Sequence, residues 1–282
     1  GYFILFIGIS IILFGVLIKL GSKIFYKGLL SGQEIHRKNK TISIQQLKLR
    51  ASKESSPLTA LFWKEWKLFI RTPIYAMNGL AAMIIIPLLM ILSLFTQKAE
   101  MSEFISMLKT QELGFVVTLG TLAAALFVAN LNTVACTSIS REGSTFWISK
   151  IIPVSPRDQI SAKLIHSTAL SLIGILIVII AEQFLIGLSM FRILALVILA
   201  FLGSFMLNVI NLIIDVFRPR LEWNDPQEAV KKNMNVTLGI LLSFITIALL
   251  TGITIILILI KSPEWLIYLV LAATITIIAA IS

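Results

Sequence analysis

Seven apolar runs, at about residues 2 to 20, 74 to 95, 113 to 139, 164 to 188, 193 to 217, 236 to 260 and 265 to 282, are separated by polar and basic stretches. A bilayer's hydrocarbon core of roughly 30 Å takes about 20 residues of α-helix, so each run approaches or meets the length of a span. None shows the short polar/apolar alternation of barrel strands, and backbone groups in lipid have to be satisfied within the segment, which leaves helices. The pattern predicts an all-α fold: a polytopic transmembrane helical bundle of about seven spans with one amphipathic interfacial helix. The first run is followed, not preceded, by Lys19, Lys23 and Lys27 and shows no small-residue cleavage pattern, so it reads as a span and not as a signal peptide. Residue 1 is Gly, and the first and last runs reach the two ends of the chain, which points to a piece of a longer protein.

Between the runs the chain is uneven. Residues 31 to 57 are polar and basic without a sustained period and read as linker, with a short helix around Ile44 to Arg50. From Thr59 the period changes to that of a helix: Phe62, Trp66 and Phe69 share a face beside Trp63 and Ile70, opposite Lys64, Lys67 and Arg71. This predicts a helix lying in the membrane interface, either as an anchor for the next span or as a connecting helix that also touches a partner. The resulting divisions are 1-25, a transmembrane helix; 26-57, a basic linker; 58-73, an amphipathic connecting helix; and 74-282, a six-span module.

Composition agrees with this picture and narrows it. With 57% hydrophobic and 13% charged residues and a mean hydropathy of +0.96, a soluble domain is excluded. The net charge of +10 sits between the apolar runs and not on one face, so it reads as an orientation signal and not as a nucleic-acid footprint. Placing residues 19 to 73, 140 to 163 and 218 to 235 on one side collects 20 of the 24 Lys and Arg, which makes that side cytosolic. The expected location is the cell membrane, multi-pass, with small outer segments that leave no room for a receptor or enzyme domain. Cys136, the single cysteine, lies inside an apolar run and reads as a packing residue.

No catalytic or metal-binding set is visible. There is no Gly-x-x-x-x-Gly-Lys-Ser/Thr loop, no His-Glu-x-x-His and no Gly-x-Ser-x-Gly, and His36 and His166 stand far apart, His166 as an interfacial side chain. Candidate chemistry lies in polar residues inside spans. Asn130, Thr133 and Thr137 follow helical spacing in the third run, and Asn208, Asn211 and Asp215 do so in the fifth. These stripes either line a translocation path or bond helices together. Glu182 is the carboxylate lying well inside a run, with Arg192 as a candidate partner, and Asp215 stands one turn before Arg218 as a local ion pair.

The segment Ser140 to Lys163 is far longer than a connection between helices needs, and Pro153 and Pro156 stiffen it. Phe146, Trp147, Ile151 and Ile152 lie near Arg141, Lys150 and Arg157, the mix of aromatic anchor and Arg found at interface hot spots, although the same aromatics would also suit lipid headgroups.

Three stretches carry a family resemblance. Trp63-Lys64-Glu65-Trp66 followed by Arg71-Thr72-Pro73 and a long apolar span resembles the start of a type-2 ATP-binding-cassette permease module, with Thr72 where Asp is common. Arg141-Glu142, Phe146-Trp147 and Lys150 fall where that family's first cytosolic loop docks on its ATPase. Arg218-Pro219-Arg220-Leu221-Glu222-Trp223, with Glu228, Lys231 and Lys232 after it, resembles the second cytosolic loop of bacterial exporter permeases. The resemblance implies a permease subunit of an ATP-driven exporter, with no cofactor of its own. ATP and Mg would sit on a separate cytosolic ATPase docked at Arg141, Glu142, Phe146, Trp147, Lys150, Pro153, Arg157, Arg218, Arg220 and Trp223. Trp63, Glu65, Trp66, Arg71 and Pro73 would belong to the interfacial helix, and a second permease half or a homodimer would complete the path. The other readings are an ion-coupled secondary transporter, which would call for discontinuous helices and paired midplane charges, and a membrane scaffold or intramembrane enzyme.

Overall fold

The computed structural model describes residues 56 to 96, 110 to 131 and 133 to 282, together with positions 8, 11, 14, 15, 18 and 19. The chain divides into two units, Gly1–Glu54 and Ser55–Ser282. Positions 8, 11, 14, 15, 18 and 19 are helical. The rest of the first run, nearly all of the 26-57 linker with its expected helix around Ile44, and most of the segment between Thr96 and Glu112 lie outside the described residues.

The second unit is helical. Helix α1 (Pro57–Arg71) starts where Ser56 caps it, accepting from the Thr59 N–H at 3.3 Å, with Pro57 in the first turn, where its missing N–H costs nothing. It stops because Thr72 is extended (φ −105°, ψ 97°) ahead of Pro73, whose ring disfavours a helical predecessor. Helix α2 (Pro73–Thr96) then leaves at 92° to α1. Helix α3 (Gln111–Asn130) runs into short 3₁₀ turns at Ala135–Thr137 and Ser140–Thr145, then α4 (Phe146–Ile151). Helix α5 (Pro156–Leu185) is capped by Ser155, which accepts from the Asp158 N–H at 3.0 Å. Helices α6 (Met190–Phe217), α7 (Pro226–Lys231), α8 (Met234–Leu259) and α9 (Glu264–Ile281) complete the unit. Among the described residues, five stretches are long and apolar enough to cross a membrane, and the bent pair α1–α2 makes a sixth, as expected of a polytopic helical bundle.

The core forms where α3, α5, α6 and α9 meet, around Leu126, Ile175, Leu199, Met206, Leu271 and Ile275. Gly203 allows a close approach in this core: a Cβ there would lie 2.6 Å from Leu126 Cδ2. A smaller cluster, with Phe69, Tyr75, Val134, Leu170, Ala229 and Val230, closes the end of the bundle that carries the basic loops.

Two boundaries differ from the sequence reading. The third run does not stay helical to residue 139: α3 ends at Asn130, Thr133 takes a left-handed φ of 49°, and Val134 to Gly143 form tight turns that are buried throughout. Irregular backbone is tolerated there because protein, not lipid, surrounds it and supplies partners. The 140 to 163 segment is also shorter as a loop, since its last eight residues are the first turns of α5. At about 1.5 Å per residue a 30-residue helix is about 45 Å long, well beyond a hydrocarbon core of roughly 30 Å, so these turns project past it.

Candidate functional site

Charge is concentrated inside the basic end of the bundle, not only on its surface. Glu65 falls on the inward face of α1, with Phe62 and Phe69 one turn to either side. The 3₁₀ turn after Ile139 brings in Arg141 and Glu142, and the early turns of α5 bring in Lys163. The Lys163 ammonium donates to Glu65 Oε1 at 2.8 Å, to Glu142 Oε1 at 2.7 Å and to the Ser138 carbonyl at 3.1 Å, which uses all three of its protons. Lys64 donates to the same Glu142 oxygen at 2.8 Å, and Ser149 donates to Glu142 Oε2 at 2.6 Å. The Arg141 guanidinium stands 4.0 Å from Glu65 Oε2, donates to the Thr137 and Val134 carbonyls at 3.3 Å each, and lies 5.6 Å from the centre of the Tyr75 ring. Three cations and two carboxylates thus form one joint between α1, the 138 to 149 segment and α5.

A second set of bonds hangs the 218 to 235 loop on the same turn. Asp215, fully buried near the end of α6, accepts from the backbone N–H groups of Ile139 at 2.6 Å and Ser140 at 3.0 Å, from the Ser140 hydroxyl, and from Asn235 at 2.9 Å. Asn235 also donates to the Arg218 carbonyl at 2.8 Å. The Ser140 hydroxyl accepts from the Arg220 N–H at 2.9 Å, and the Ser140 carbonyl accepts from the Trp223 indole at 2.8 Å. Asp215 therefore caps a turn on another segment, in place of the expected ion pair with Arg218, whose side chain is exposed.

The expected docking residues separate into two groups. Arg141 and Glu142, 3% and 5% exposed, are structural members of the joint and present no surface to a partner. Trp223 is half-buried over Gly143. Arg220 donates to the Lys232 carbonyl and stands 3.9 Å from Glu228. What faces outward is a shoulder on α4 and beyond: Trp147 (58% exposed), Ile148, Ile151, Pro153 and Arg157, with the Lys150 ammonium 5.0 Å from the centre of the half-buried Phe146 ring. In the interfacial helix, Trp66 and Phe69 turn inward with Phe62 and surround His166 at ring-centre distances of 5.7, 5.6 and 6.3 Å. His166 is thus a fully buried packing residue and not an interfacial one. Trp63 and Arg71 stay exposed, and Pro73 opens α2.

The two polar stripes do meet. Asn130 Oδ1 accepts from Asn211 at 2.8 Å and from Ser243 at 2.8 Å, and Asn208 donates to Ser171 at 3.0 Å. These bonds fasten α3, α5, α6 and α8 together. Thr133 and Thr137 leave the stripe because the helix ends before them; the Thr137 hydroxyl donates to the Thr133 carbonyl at 2.9 Å. A separate apolar cavity of about 240 Å³ opens between α3, α8 and α9, lined by residues including Gly120, Leu126, Leu250, Thr251, Thr254 and Leu271. Its two hydroxyls donate to their own helix, Thr251 to Ile247 and Thr254 to Leu250, at 2.8 Å each.

Arg192 does not pair with Glu182. It holds Glu264 through two bonds of 2.9 and 3.2 Å, with the Tyr268 hydroxyl donating to the same carboxylate at 2.8 Å. Glu182 is 7% exposed, and neither of its carboxyl oxygens accepts a well-formed hydrogen bond among the described residues; the hydroxyl beside it, that of Thr121, donates to the Val117 carbonyl at 3.0 Å. Replacing Glu182 by Met is expected to raise stability by about 1 to 3 kcal/mol, the usual cost of a buried unsatisfied polar group. Thermal unfolding of the purified protein in detergent checks this; a drop in the midpoint would show that the carboxyl has a partner in the membrane.

Lys163, Ser140, Gly143 and Asn235 are among the members of these networks that sequence reasoning passed over, as are Ser149, Ser171 and Ser243. The one signal available was Glu65, an acid on the aromatic face of an otherwise basic helix, which demands a buried cation from elsewhere.

No curated protein and no solved structure matches the chain. Residues 2–282 match the family described as "Membrane protein of 12 TMs". With its helices long and apolar enough to cross a bilayer, the chain belongs to that family of multi-span membrane proteins.

Proposed function

We propose that this chain is the permease part of an ATP-driven exporter in a bacterial cell membrane, with its basic loops in the cytosol. It is not an enzyme: ATP and Mg bind to a separate ATP-binding-cassette ATPase, which docks on the exposed shoulder from Phe146 to Arg157 and on the exposed Arg218. The observation that carries this reading is the pairing of an exposed aromatic and basic shoulder with a buried joint directly behind it. A push on α4 reaches α5 through Glu142 and Lys163, α1 through Glu65, and α6 through Ser140 and Asp215. Such a chain of packed and bonded groups can tilt spans as rigid bodies between inward- and outward-open arrangements. The twelve spans in the family's description, against up to six candidates among the described residues, support a second half, or a second copy, across the path. The apolar cavity between α3, α8 and α9 suits a hydrophobic cargo.

The test is affinity purification of the full-length protein from its native membrane in mild detergent, with identification of co-purifying subunits and an ATPase assay. Trp147→Ala combined with Lys150→Glu, both at exposed positions, is expected to leave folding intact and to cut ATPase retention at least tenfold, since an interface anchor typically contributes about 2 kcal/mol or more. Retention by the variant, or no nucleotide-hydrolysing partner of the wild type, overturns the reading. One observation favours an ion-coupled transporter instead: the buried, unpartnered carboxyl of Glu182. Transport by the isolated chain in vesicles, driven by an ion gradient without ATP and lost on Glu182→Gln, would select that alternative.

A further inference from the structure

Helix α1 lies across the end of α2 at 92°, yet its apolar face is not what holds it to the membrane. Phe69 is fully buried, and the rings of Phe62 and Trp66 pack with it on His166. Glu65 is taken up by the buried joint, and the Lys64 ammonium is turned toward Glu142. The outward side keeps Trp63 (50% exposed) and Ile70 (56% exposed) beside two cations, Lys67 and Arg71, both exposed.

Lys67 and Arg71 make no hydrogen bond or ion pair with any described residue. They stand four residues apart, hence one above the other on the helix, and with Ala60, Lys64 and Leu68 they line a shallow groove along α1. Two cations without a partner among the described residues, flanked by a Trp and an Ile as on a helix lying in a membrane interface, call for an anion that itself carries hydrocarbon.

We propose that this groove binds the phosphate of an anionic phospholipid from the leaflet on the basic side. The Arg71 guanidinium presents paired N–H donors to the phosphate oxygens, Lys67 adds a point charge one turn away, and Ile70 and Trp63 receive the start of the acyl chains. The lipid thereby pins the outer side of the same helix whose inner side carries Glu65. The proposal depends on the membrane location of the chain and not on the identity of its energy source, so it stands or falls separately from the ATPase reading.

The experiment is native mass spectrometry of the full-length protein released from nanodiscs made of equal amounts of phosphatidylglycerol and phosphatidylcholine. Wild type is expected to retain phosphatidylglycerol in preference to phosphatidylcholine at low salt and to lose that preference as salt rises, because headgroup contacts are screened. Lys67→Gln with Arg71→Gln is expected to lower the preference roughly thirtyfold, from about one charge-worth of membrane attraction per cation. Lys261→Gln, at the opposite end of the bundle, is expected to leave it unchanged. The proposal is overturned if the double variant, folded by circular dichroism and melting, keeps the wild-type preference. It is overturned independently of any variant if the wild-type preference is absent or survives high salt, or if millimolar inorganic phosphate displaces the lipid, which would make the groove a site for free phosphate.

Discussion

Replacing Lys163 by Met is expected to destabilise the basic end of the bundle by about 3 to 5 kcal/mol, the usual cost of removing one partner from a buried ion pair. The reason is the position of its ammonium, within 2.8 Å of Glu65 and 2.7 Å of Glu142, both carboxylates being nearly excluded from water. The remaining cations compensate only in part: Arg141 stands 4.0 Å from Glu65 and donates to two backbone carbonyls, and Lys64, which already bonds Glu142 at 2.8 Å, stands 3.9 Å from Glu65. Met keeps the length and apolar stem of the side chain, so the loss is electrostatic and not a cavity. The triple replacement of Lys163 by Met, Glu65 by Gln and Glu142 by Gln is expected to recover part of that loss, because it removes both unpaired buried carboxylates while leaving the buried Arg141 guanidinium only its backbone acceptors. Thermal unfolding of the purified full chain in detergent reads both variants. A single variant costing less than about 1 kcal/mol, or a triple no better than the single, would show that the joint carries little energy.

The same residues show where a sequence stops being informative. The spans were legible because a bilayer imposes a length and an apolarity on each one, and α5, α6, α8 and α9 lie close to the runs that predicted them. The amphipathic helix was legible as 58-73 from its change of period at Thr59; α1 begins at Pro57, behind the Ser56 cap, and ends at Arg71, since caps and prolines act locally. What was not legible was the direction in which a charge points. Arg141 and Glu142 sit in a polar stretch beside exposed aromatics, and nothing within ten residues says that they turn inward. Their partners, Glu65 and Lys163, are 98 positions apart in the chain. Hydropathy likewise extended the third span to residue 139, because a buried turn is as apolar as a helix in lipid; the polar Asn130 and Thr133 mark the break only once their bonds are known.

Gly143→Ala is expected to detach the second basic loop from the first. Gly143 has φ 50° and ψ −131°, a region that residues with a Cβ rarely enter and in which they are strained by about 1 to 3 kcal/mol. Its missing side chain also leaves room for an indole: a Cβ built there would lie 2.5 Å from Trp223 Cζ2 and 2.6 Å from Cε2. The ring therefore has to move, and its bond to the buried Ser140 carbonyl, 2.8 Å long, goes with it. Leaving that acceptor unsatisfied adds about 1 to 3 kcal/mol. Ser140 still holds Asp215 and the Arg220 N–H, so the expected outcome is local loosening of the 218 to 235 loop ahead of global unfolding. Limited trypsin digestion reads it directly, as faster cleavage at Arg220, Lys231 and Lys232, the Arg218–Pro219 bond being resistant to trypsin. The decisive comparison is the same substitution in a Trp223→Ala background, where the steric part vanishes and only the backbone strain remains. If Gly143→Ala costs as much without the indole as with it, Trp223 is not what the glycine makes room for, and the two loops are joined through Asp215 and the Arg220–Ser140 bond instead.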